Sequence, residues 1–362
     1  MTPLVSILIP AYNAEPWIAD TIRSTLRQTW PRTEIIIVDD GSRDRTFEIA
    51  QQFSSDYVFV VTQENQGAAA ARNRAFELCQ GDYIQWLDAD DLLWPDKIAK
   101  QMEASDRCGS TRMLFSSAWA YFYYRWDRAN FTPTSLWCDL SPVEWLVHKM
   151  GQNLHMPNST WLVSRELTQA AGCWDRRLSL DDDGEYFCRV ILASDAIRFV
   201  PEAKVLYRIS GCDSLSNVGE SRRKLQSQFL SMRFHVGYLR SLEDSDRVRA
   251  ACLKYLQRRF MRFYPEEVAL VNQLQQLAAT VGGRLDIPPL SWKYLWMQKL
   301  FGWTVTKRTR QHYNRWKSSA ARSWDKALFY LGRQTLGARS GSCNRKSPFN
   351  TLIPFNEHSK SS

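Results

Sequence analysis

The chain has 362 residues and a net charge of +9 at pH 7, and aromatic residues make up 13% of it. This length allows one large domain or two smaller ones with their own hydrophobic cores. The polarity is that of an ordinary globular protein, since 23% of the residues are charged. No apolar run approaches the roughly 18–20 residues of a membrane-spanning helix, so we expect none.

The positive charge is concentrated near the C-terminus. Between Arg284 and Lys346 there are 14 Lys and Arg but only two Asp, whereas the rest of the chain carries 33 basic and 36 acidic residues. The basic character therefore belongs to a C-terminal segment and not to the remainder.

The cysteines and the N-terminus both indicate an intracellular protein. The eight Cys residues form no CxxC pair and no regular spacing, which predicts reduced thiols and neither a disulfide framework nor a zinc site. The first residues enter a strand pattern at once, without the basic and apolar regions of a signal peptide. We expect a cytoplasmic protein that contacts, at most, the inner face of a membrane.

Strand and helix patterns alternate through the first ninety residues. Apolar runs predict strands over 5–10, 35–38, 57–61 and 83–87, and helical spacing predicts helices over 14–28, 44–53 and 68–78. This order predicts an α/β fold with a doubly wound, mostly parallel sheet, whose ligands bind at the carboxyl ends of the strands.

The remainder of the chain divides into three parts. Residues 114–207 show a mixed pattern and complete a first domain, for which we predict the bounds 1–215. Residues 216–336 form a predicted helical C-terminal region, which is basic and Trp-rich from about residue 284. The Ser-, Gly-, Asn- and Lys-rich segment 337–362 is predicted to be a disordered tail.

Acidic residues gather where two predicted strands end. Asp39 and Asp40 follow one strand, and Asp88, Asp90 and Asp91 follow another. Because neighbouring carboxylates repel one another, this arrangement favours a site for a divalent cation and a polar ligand. The alternatives are that Asp39 and Asp40 cap the next helix and that residues 88–91 form a solvated turn.

Seven short strings in a fixed order carry a family resemblance. They are Pro10-Ala11-Tyr12-Asn13, Gln28-Thr29, Val38-Asp39-Asp40-Gly41-Ser42, Asn65-Gln66-Gly67, Ala71-Arg72-Asn73, Gly81-Asp82-Tyr83-Ile84 and Leu87-Asp88-Ala89-Asp90-Asp91. In these strings the chain resembles the family 2 glycosyltransferases, whose nucleotide-sugar domain has the GT-A fold. The resemblance covers roughly residues 4–210.

The resemblance implies a donor site. Pro10 and Tyr12 would lie beside the nucleobase, and Asp40, together with Asp39, would accept a hydrogen bond from it. Arg72 would lie near the nucleotide. Two further residues match the family's DXD motif: Asp88, at the nucleotide, and Asp90, the expected direct ligand of Mn²⁺ or Mg²⁺.

The resemblance also implies a catalytic base in a later acidic motif. Counting six residues back from Arg189 gives Asp183, with Asp182 as its acidic neighbour. Three adjacent Asp perturb each other's pKa, so the choice among residues 181–183 stays open. The family's late His is missing after Tyr207-Arg208, and His148 and His155 come too early to replace it. Water would then complete the metal shell, or the metal would bind more weakly.

Each of these residues also has a structural alternative. Tyr12 could be core packing, Arg72 a surface arginine, and residues 181–183 a solvated loop. In the basic segment, aromatic and aliphatic residues recur at helical spacing among Lys and Arg: Trp292, Leu295, Trp296, Leu300, Trp303, Trp316, Ala320 and Trp324. Such helices lie in an anionic membrane interface or pack on the domain, and no nucleic-acid module is recognisable.

The sequence thus predicts an inverting, metal-dependent glycosyltransferase. It would move a sugar from a nucleoside diphosphate, expected to be UDP, to a hydroxyl of a glycan or lipid-linked acceptor during polysaccharide biosynthesis for the cell envelope. One alternative is a non-catalytic nucleotide-sugar-binding or scaffold subunit of a polysaccharide assembly complex. Another is a nucleotidyltransferase, although the segment after the first strand lacks that class's Gly-rich phosphate-binding stretch.

Overall fold

The structure is a computed structural model that describes residues 2–210, 221–287 and 292–337. Within these residues the strands are β1 Val5–Ala11, β2 Thr33–Asp39, β3 Val58–Thr62, β4 Tyr83–Trp86, β5 Leu92–Leu93, β6 Met113–Phe122, β7 Asn130–Phe131, β8 Val163–Ser164 and β9 Ala196–Arg208. The α-helices are α1 Ile18–Leu26, α2 Thr46–Gln51, α3 Ala68–Leu78, α4 Lys97–Cys108, α5 Pro142–Gln152, α6 Arg165–Ala171, α7 Asp182–Ala193, α8 Arg222–Leu242, α9 Asp246–Phe263, α10 Val268–Thr280 and α11 Trp292–Gly337.

The first sheet has the order β3-β2-β1-β4-β8, and its first four strands are parallel. β8 pairs with β4 in the antiparallel sense. The central strands β1 and β2 are buried on both faces, as expected for a parallel sheet covered by helices. The predicted α/β fold with a mostly parallel sheet is therefore confirmed. Ala11, Asp39 and Thr62 lie in register, so the carboxyl ends of three strands meet at one edge.

A second sheet has the order β5-β9-β6-β7, with β6 and β9 parallel over almost their full length. Its short strand β5 follows β4 after only a few residues and pairs with the end of β9. The connection from β4 to β5 contains Asp88, Asp90 and Asp91. The acidic turn therefore joins the two sheets and lies beside the carboxyl end of β9.

Two predicted helices are shorter than expected because side chains from other loops bind their first residues. α1 begins at Ile18, since the amides of Ala14 and Glu15 donate to Thr46 Oγ1 and to an Asp44 carboxylate oxygen. α2 begins at Thr46, whose own amide donates to Asp44 Oδ1 at 3.0 Å. Asp44 thus accepts from the first amide of α2, whereas the side chains of Asp39 and Asp40 bind other loops, so the alternative that they cap this helix is wrong.

The C-terminal part is helical, as predicted. α8, α9 and α10 bury apolar side chains against one another and against α5 and α7. The long helix α11 has a kink at Gly302, which has a φ of 76°. The predicted division at residue 215 falls within 211–220 and the predicted tail begins at the last described residue, so the boundary and the segment 338–362 lie outside the described residues. Among the helices described, none is both long and apolar enough to cross a membrane.

Candidate active site

Asp40 is tied to the loop that follows β3. Its Oδ1 accepts from Gln63 Nε2 at 2.7 Å and from the amide of Gln66 at 3.0 Å. Its Oδ2 accepts from the amide of Gly67 at 2.8 Å, and the residue is only 2% exposed. These three bonds fix the Asn65-Gln66-Gly67 turn at the start of α3. Much of the hydrogen-bonding capacity of Asp40 is therefore used within the protein.

One carboxylate oxygen of Asp39 accepts no hydrogen bond from the described residues. Its Oδ2 accepts from the amide of Ser42 at 3.2 Å and from Thr62 Oγ1 at 3.1 Å. Its Oδ1 is buried and has no hydrogen-bond partner among the described residues. An unsatisfied buried acceptor is costly, so this oxygen is suited to a ligand N–H group.

The loop after β1 closes onto the loop after β2. Asn13 adopts a left-handed φ of 48°, its amide donates to Ser42 Oγ, and its Oδ1 accepts from the amide of Arg43. Gly41 has a φ of 71°, and a Cβ there would lie 2.9 Å from the amide nitrogen of Asn65. Any side chain at position 41 would therefore push these loops apart.

Tyr12 lies on the outside of this closed pair of loops. It is 44% exposed, so the alternative that it packs in the core is wrong. It directly follows Ala11, which is in register with Asp39 and whose carbonyl accepts from the amide of Asp40. Pro10 lies in register with Val38, one residue further into the strand. The exposed Tyr12 ring is therefore available near the free oxygen of Asp39.

Arg72 is a buried link between two acidic segments. It is 6% exposed, so it is not a surface arginine. Its Nη2 donates to Asp88 Oδ1 at 2.9 Å and its Nη1 to Asp182 Oδ2 at 2.7 Å. The guanidinium also lies over the Trp174 ring, 4.4 Å from its centroid. Burial alone would lower the pKa of Arg72, but Asp182 and Asp88 raise it above the usual value.

Asp88 receives a second hydrogen bond from a residue that the sequence did not reveal. Asn158 Nδ2 donates to Asp88 Oδ1 at 2.9 Å, and the Asn158 side chain is 2% exposed. The Asn158 Oδ1 has no partner among the residues described. Both bonds end on Oδ1, so Oδ2 of Asp88 accepts no hydrogen bond from the described residues, and the side chain is 32% exposed.

Asp90 and Asp91 have different environments. Asp90 is partly exposed, and burial together with the neighbouring Asp88 raises its pKa to about 6. Asp91 is fully buried and accepts from the amide of Arg208 and from Ser159 Oγ, while burial raises its pKa well above the usual value. Asp91 therefore holds the two sheets together, and Asp90 is the carboxylate that can reach a ligand. The turn is not simply solvated.

The three adjacent Asp at the start of α7 point in different directions. Asp181 turns toward α8, where its Oδ2 accepts from Ser231 Oγ at 2.6 Å and from Gln228 Nε2 at 3.2 Å. Asp182 pairs with Arg72, and burial raises its pKa to about 6 although Arg72 lowers it. The run is therefore a helix start and not a solvated loop.

Asp183 is the member of this run without a cationic partner in the described structure. Among the described residues, its carboxylate accepts from the amide of Gly184, at 2.8 Å. Burial, followed by the charge of Asp181, raises its pKa above the usual value. A carboxylate of this kind can accept a proton more readily than an ordinary Asp.

Arg189, from which the position of the base was counted, has a structural role. Its Nε and Nη2 donate to Glu185 at 2.8 and 2.9 Å, and its guanidinium also binds the carbonyls of Ala171 and Cys173. Tyr238 Oη donates to the same Glu185. These contacts fix α7 against the segment before Trp174 and thereby orient Asp182 and Asp183.

The acidic turn fits a hard cation that is shared with a bound ligand. Across 2–210, 221–287 and 292–337, no group of three His, Cys, Asp or Glu is arranged to hold a metal ion by itself. Asp88 and Asp90 offer carboxylate oxygens at an open edge. Mg²⁺ and similar cations are often held by one or two carboxylates together with substrate phosphates and water, and this donor set suits that mode.

The comparison with known families agrees with this geometry. The family model described as glycosyl transferase family 2 matches residues 6–132, which include the loops after β1, β2 and β4. The chain carries a family 2 glycosyltransferase domain. The expected family is therefore confirmed from a part of the chain that contains Asp39, Arg72 and Asp90.

Curated relatives carry similar domains. The chain is 49% identical over 104 residues to the putative teichuronic acid biosynthesis glycosyltransferase TuaG of Bacillus subtilis (strain 168), covering 28% of this chain and 41% of TuaG. It is 28% identical over 216 residues to the uncharacterized glycosyltransferase EpsJ of the same organism, covering 58% of this chain and 62% of EpsJ. The matches thus span less than two thirds of either relative.

A solved structure shows the same fold. The chain superposes on S. aureus TarS 1–349, solved in complex with UDP-GlcNAc, with a TM-score of 0.62 and 16% identity. The superposition covers 77% of this chain and 81% of TarS 1–349. At this identity the likeness establishes the fold, which is the GT-A-like arrangement expected from the sequence.

Proposed function

We propose that the protein is an inverting, metal-dependent glycosyltransferase that moves a sugar from a nucleoside diphosphate to an acceptor hydroxyl. The observation that carries this proposal is the link from Asp88 through Arg72 to Asp182. This link holds the acidic turn after β4 next to the start of α7, where Asp183 has no cationic partner. The acidic turn, which would bind the phosphates, and the candidate base Asp183 then lie on either side of the buried Arg72.

The nucleobase would bind at the loops after β1 and β2. The unpartnered Asp39 Oδ1 is an acceptor for a nucleobase N–H group, and the exposed Tyr12 ring offers a stacking surface. Uridine fits this acceptor because its ring carries an imide N–H. The TarS complex with UDP-GlcNAc supports UDP as the nucleotide.

The diphosphate would lie along the turn after β4. Asp88 and Asp90 would hold Mn²⁺ or Mg²⁺ there, and Arg72 and Asn158 would keep Asp88 oriented. When bound, the cation supplies positive charge that stabilises the departing nucleoside diphosphate. Burial and the neighbouring Asp88 raise the pKa of Asp90, and an adjacent cation would offset this by favouring the ionised carboxylate.

Asp183 would act as the general base. It would take the proton from the acceptor hydroxyl while that oxygen attacks the anomeric carbon, which inverts the configuration there. Asp182 would stay paired with Arg72 and orient the start of α7. The acceptor would be a glycan or a lipid-linked glycan, and the name of the TuaG relative supports a role in polysaccharide biosynthesis.

Helix α11 would place the protein on an anionic membrane surface. One side of α11 is docked: Asp325 pairs with Arg125 at 2.6 Å and Arg322 donates to the Ser210 carbonyl. The other side presents exposed apolar residues at spacings of three and four, namely Tyr313, Trp316, Ala320, Trp324, Ala327 and Leu331. Trp316 and Trp324 are 68% and 69% exposed. Such a stripe among basic residues suits a lipid interface.

Co-sedimentation with vesicles tests the membrane contact. We expect binding to phosphatidylglycerol vesicles, weaker binding to phosphatidylcholine vesicles, and loss of binding when Trp316 and Trp324 are both replaced by Ala. Tyr57→Ala, which removes an aromatic ring of similar exposure elsewhere, is the control. Equal binding of the double variant and the control would reject this contact.

Thermal unfolding with nucleotides tests the donor site. The protein would be heated with UDP, GDP, CDP or dTDP, each with Mn²⁺ or with EDTA. A ligand at 100 times its Kd adds about 2.7 kcal/mol of stability, which gives a clear shift. We expect a Mn²⁺-dependent shift with UDP that Asp90→Ala abolishes and that the exposed control Asp106→Ala retains.

The outcomes separate the candidate functions. No shift with any nucleotide would reject the donor site. A shift without sugar transfer or hydrolysis would favour the non-catalytic binding subunit. Consumption of a nucleoside triphosphate with release of pyrophosphate would favour a nucleotidyltransferase.

A further inference from the structure

Four aromatic side chains form a connected group on the second sheet, outside the proposed donor site. We call it the aromatic platform, and it consists of Trp119, Tyr121, His155 and Tyr207. The Trp119 ring centroid lies 4.6, 5.6 and 6.2 Å from those of Tyr121, His155 and Tyr207. Tyr207 also meets Tyr121 at 5.6 Å and His155 at 5.7 Å. All five pairs are edge-to-face, the favourable arrangement for aromatic pairs.

The sheet register places the platform beside the acidic turn. Tyr121 in β6 is paired with Tyr207 in β9. The residue after Tyr207 is Arg208, whose amide donates to Asp91 Oδ1 at 2.9 Å. Burial and then the carboxylates of Asp91, Asp88, Asp90 and Asp183 raise the pKa of Tyr207, in agreement with this proximity.

The platform is also connected to the acidic turn through the loop after α5. His155 lies on this loop, three residues before Asn158, which donates to Asp88. The platform is therefore tied to the turn from β9 and from this loop.

The rings of the platform are presented to solvent and not packed away. Tyr121 is 48% exposed, His155 is exposed and Tyr207 is partly exposed. Trp119 beneath them is 8% exposed, and its Nε1–H has no acceptor among the described residues. A group of exposed rings next to a catalytic edge, with an unused donor beneath it, is typical of a ligand surface.

The connection from β4 to the second sheet joins the proposed phosphate-binding residues to the sheet that carries the platform. The proposed nucleobase residue Asp39 ends β2, and the proposed phosphate-binding residues Asp88 and Asp90 follow β4. Along the chain, this turn leads into β5, which pairs with β9 of the second sheet, and β9 pairs with β6. The residues proposed to bind the sugar donor thus lie at the end of the first sheet and in the turn that follows it. The platform lies on the second sheet, on the other side of this turn.

We propose that the aromatic platform binds a sugar ring of the acceptor, with the C–H face of the sugar on the ring of Tyr121 and its edge against Tyr207. This inference rests on the proposed glycosyltransferase function. A sugar ring has an apolar C–H face and a polar rim, which matches amphipathic aromatic rings surrounding one free N–H donor. Trp119 Nε1–H would donate to a hydroxyl on that rim, and a neighbouring hydroxyl would face Asp183.

Saturation-transfer NMR on the full chain tests the platform. The probes are cellobiose and chitobiose, each added to protein saturated with UDP and Mn²⁺. We expect saturation transfer to the ring C–H protons of at least one disaccharide, and at least a fivefold weaker affinity in Tyr121→Ala. Tyr121→Phe keeps the ring and should bind as the native protein does. Tyr57→Ala, which is 52% exposed in the native protein, is the matched control.

The experiment distinguishes failure of the platform proposal from failure of the donor-site proposal. Absence of saturation transfer with both disaccharides, in protein that still shows a UDP-dependent rise in Tm, would overturn the platform alone. Equal binding by Tyr121→Ala and Tyr57→Ala would overturn it as well. If the protein shows no nucleotide-dependent rise in Tm, the proposed glycosyltransferase function itself is rejected.

Discussion

The guanidinium of Arg72 holds Asp88 and Asp182 together, although these two residues are 94 positions apart in the chain. Asp88 lies in the connection from β4 to β5, and Asp182 begins α7. Since Arg72 is itself buried on α3 and stacks on Trp174, the contact fixes three elements at once. The distance between the acidic turn after β4 and the start of α7 is thus set by one side chain.

Replacing Arg72 with Lys tests this link. Lys keeps the charge but is a compact point charge, so it cannot span both carboxylates in the way that the planar guanidinium does. We expect the free energy of unfolding to fall by about 2 kcal/mol and sugar transfer to fall at least tenfold. Urea unfolding and a nucleotide-release assay would measure the two effects.

Arg74→Lys is the matched control on the same helix. Arg74 is half exposed and pairs with Glu77 on the surface at 3.1 Å, a kind of contact that contributes about 0–1 kcal/mol. It should therefore change neither property. If Arg72→Lys behaved like Arg74→Lys, the link would have no role in stability or in catalysis.

Asp39 and Asp40 should separate nucleotide binding from loop stability. In Asp39→Asn, the amide oxygen can still accept from Ser42 and Thr62, while the amide nitrogen takes the place of the unpartnered Oδ1. A donor would then face the nucleobase N–H. We expect at least tenfold weaker UDP binding by calorimetry, which corresponds to about 1.4 kcal/mol, with little change in urea unfolding.

Asp40→Asn should show the reverse pattern. The carboxylate of Asp40 accepts from three donors on the loop at 63–67, and an amide cannot serve all of them. We expect a loss of about 1–3 kcal/mol of stability. If Asp40→Asn weakened UDP binding without loss of stability, the assignment of the nucleobase acceptor to Asp39 would be wrong.

Asp183→Asn should remove catalysis and stabilise the free protein. A general base contributes about 10²–10⁴ in rate, so kcat should fall by this factor while UDP affinity is retained. Because the pKa of Asp183 is raised, the native state binds its proton more tightly than the unfolded state does. Ionisation above this pKa therefore costs stability, and the neutral Asn should raise Tm at pH 7.

Asp181→Asn is the paired control for this assignment. Asp181 accepts from Ser231 and Gln228 on α8, and despite burial its pKa is lowered by His235 and Arg259. Its replacement should lower Tm and leave kcat nearly unchanged. A variant with full stability and no activity would instead make Asp181 the base.

Much of the proposed donor site could be located from local patterns. Asp39, Asp88 and Asp90 each follow a buried strand, and parallel strands bring their carboxyl ends to one edge. The order of motifs then assigned Arg72 and Asp183 by resemblance. These positions depend on short stretches of chain, so the sequence contains most of the information needed to find them.

The contacts that hold the site together were not predictable in the same way. Asn158 meets Asp88 across 70 residues, and Trp174 lies under Arg72 because of how α7 packs. Neither has a periodic or motif signal. The four rings of the aromatic platform likewise come from two strands and a loop, and only the β6–β9 register brings them together.

The buried His235 should make stability sensitive to mild acid. Its Nδ1 forms a hydrogen bond with Tyr255 Oη at 2.7 Å, and the residue is 1% exposed. Burial lowers the pKa of His235 to about 4. The positive charges of Lys149 and Arg259 lower this pKa further, whereas the carboxylate of Asp181, at 3.8 Å, acts to raise it. Between pH 6.5 and 4 the unfolded state therefore binds more protons than the native state, so the stability present above pH 6.5 is lost as the pH falls.

Urea unfolding at pH 7, 6 and 5 would measure this effect against His235→Gln. A single proton linkage gives at most about 1.4 kcal/mol per pH unit, so the advantage of the native protein over the variant should shrink by more than 1 kcal/mol between pH 7 and pH 5. The exposed His312→Gln is the control and should follow the native protein at every pH. An advantage of His235 that did not change with pH would show that its imidazole binds protons equally well in the folded and the unfolded chain.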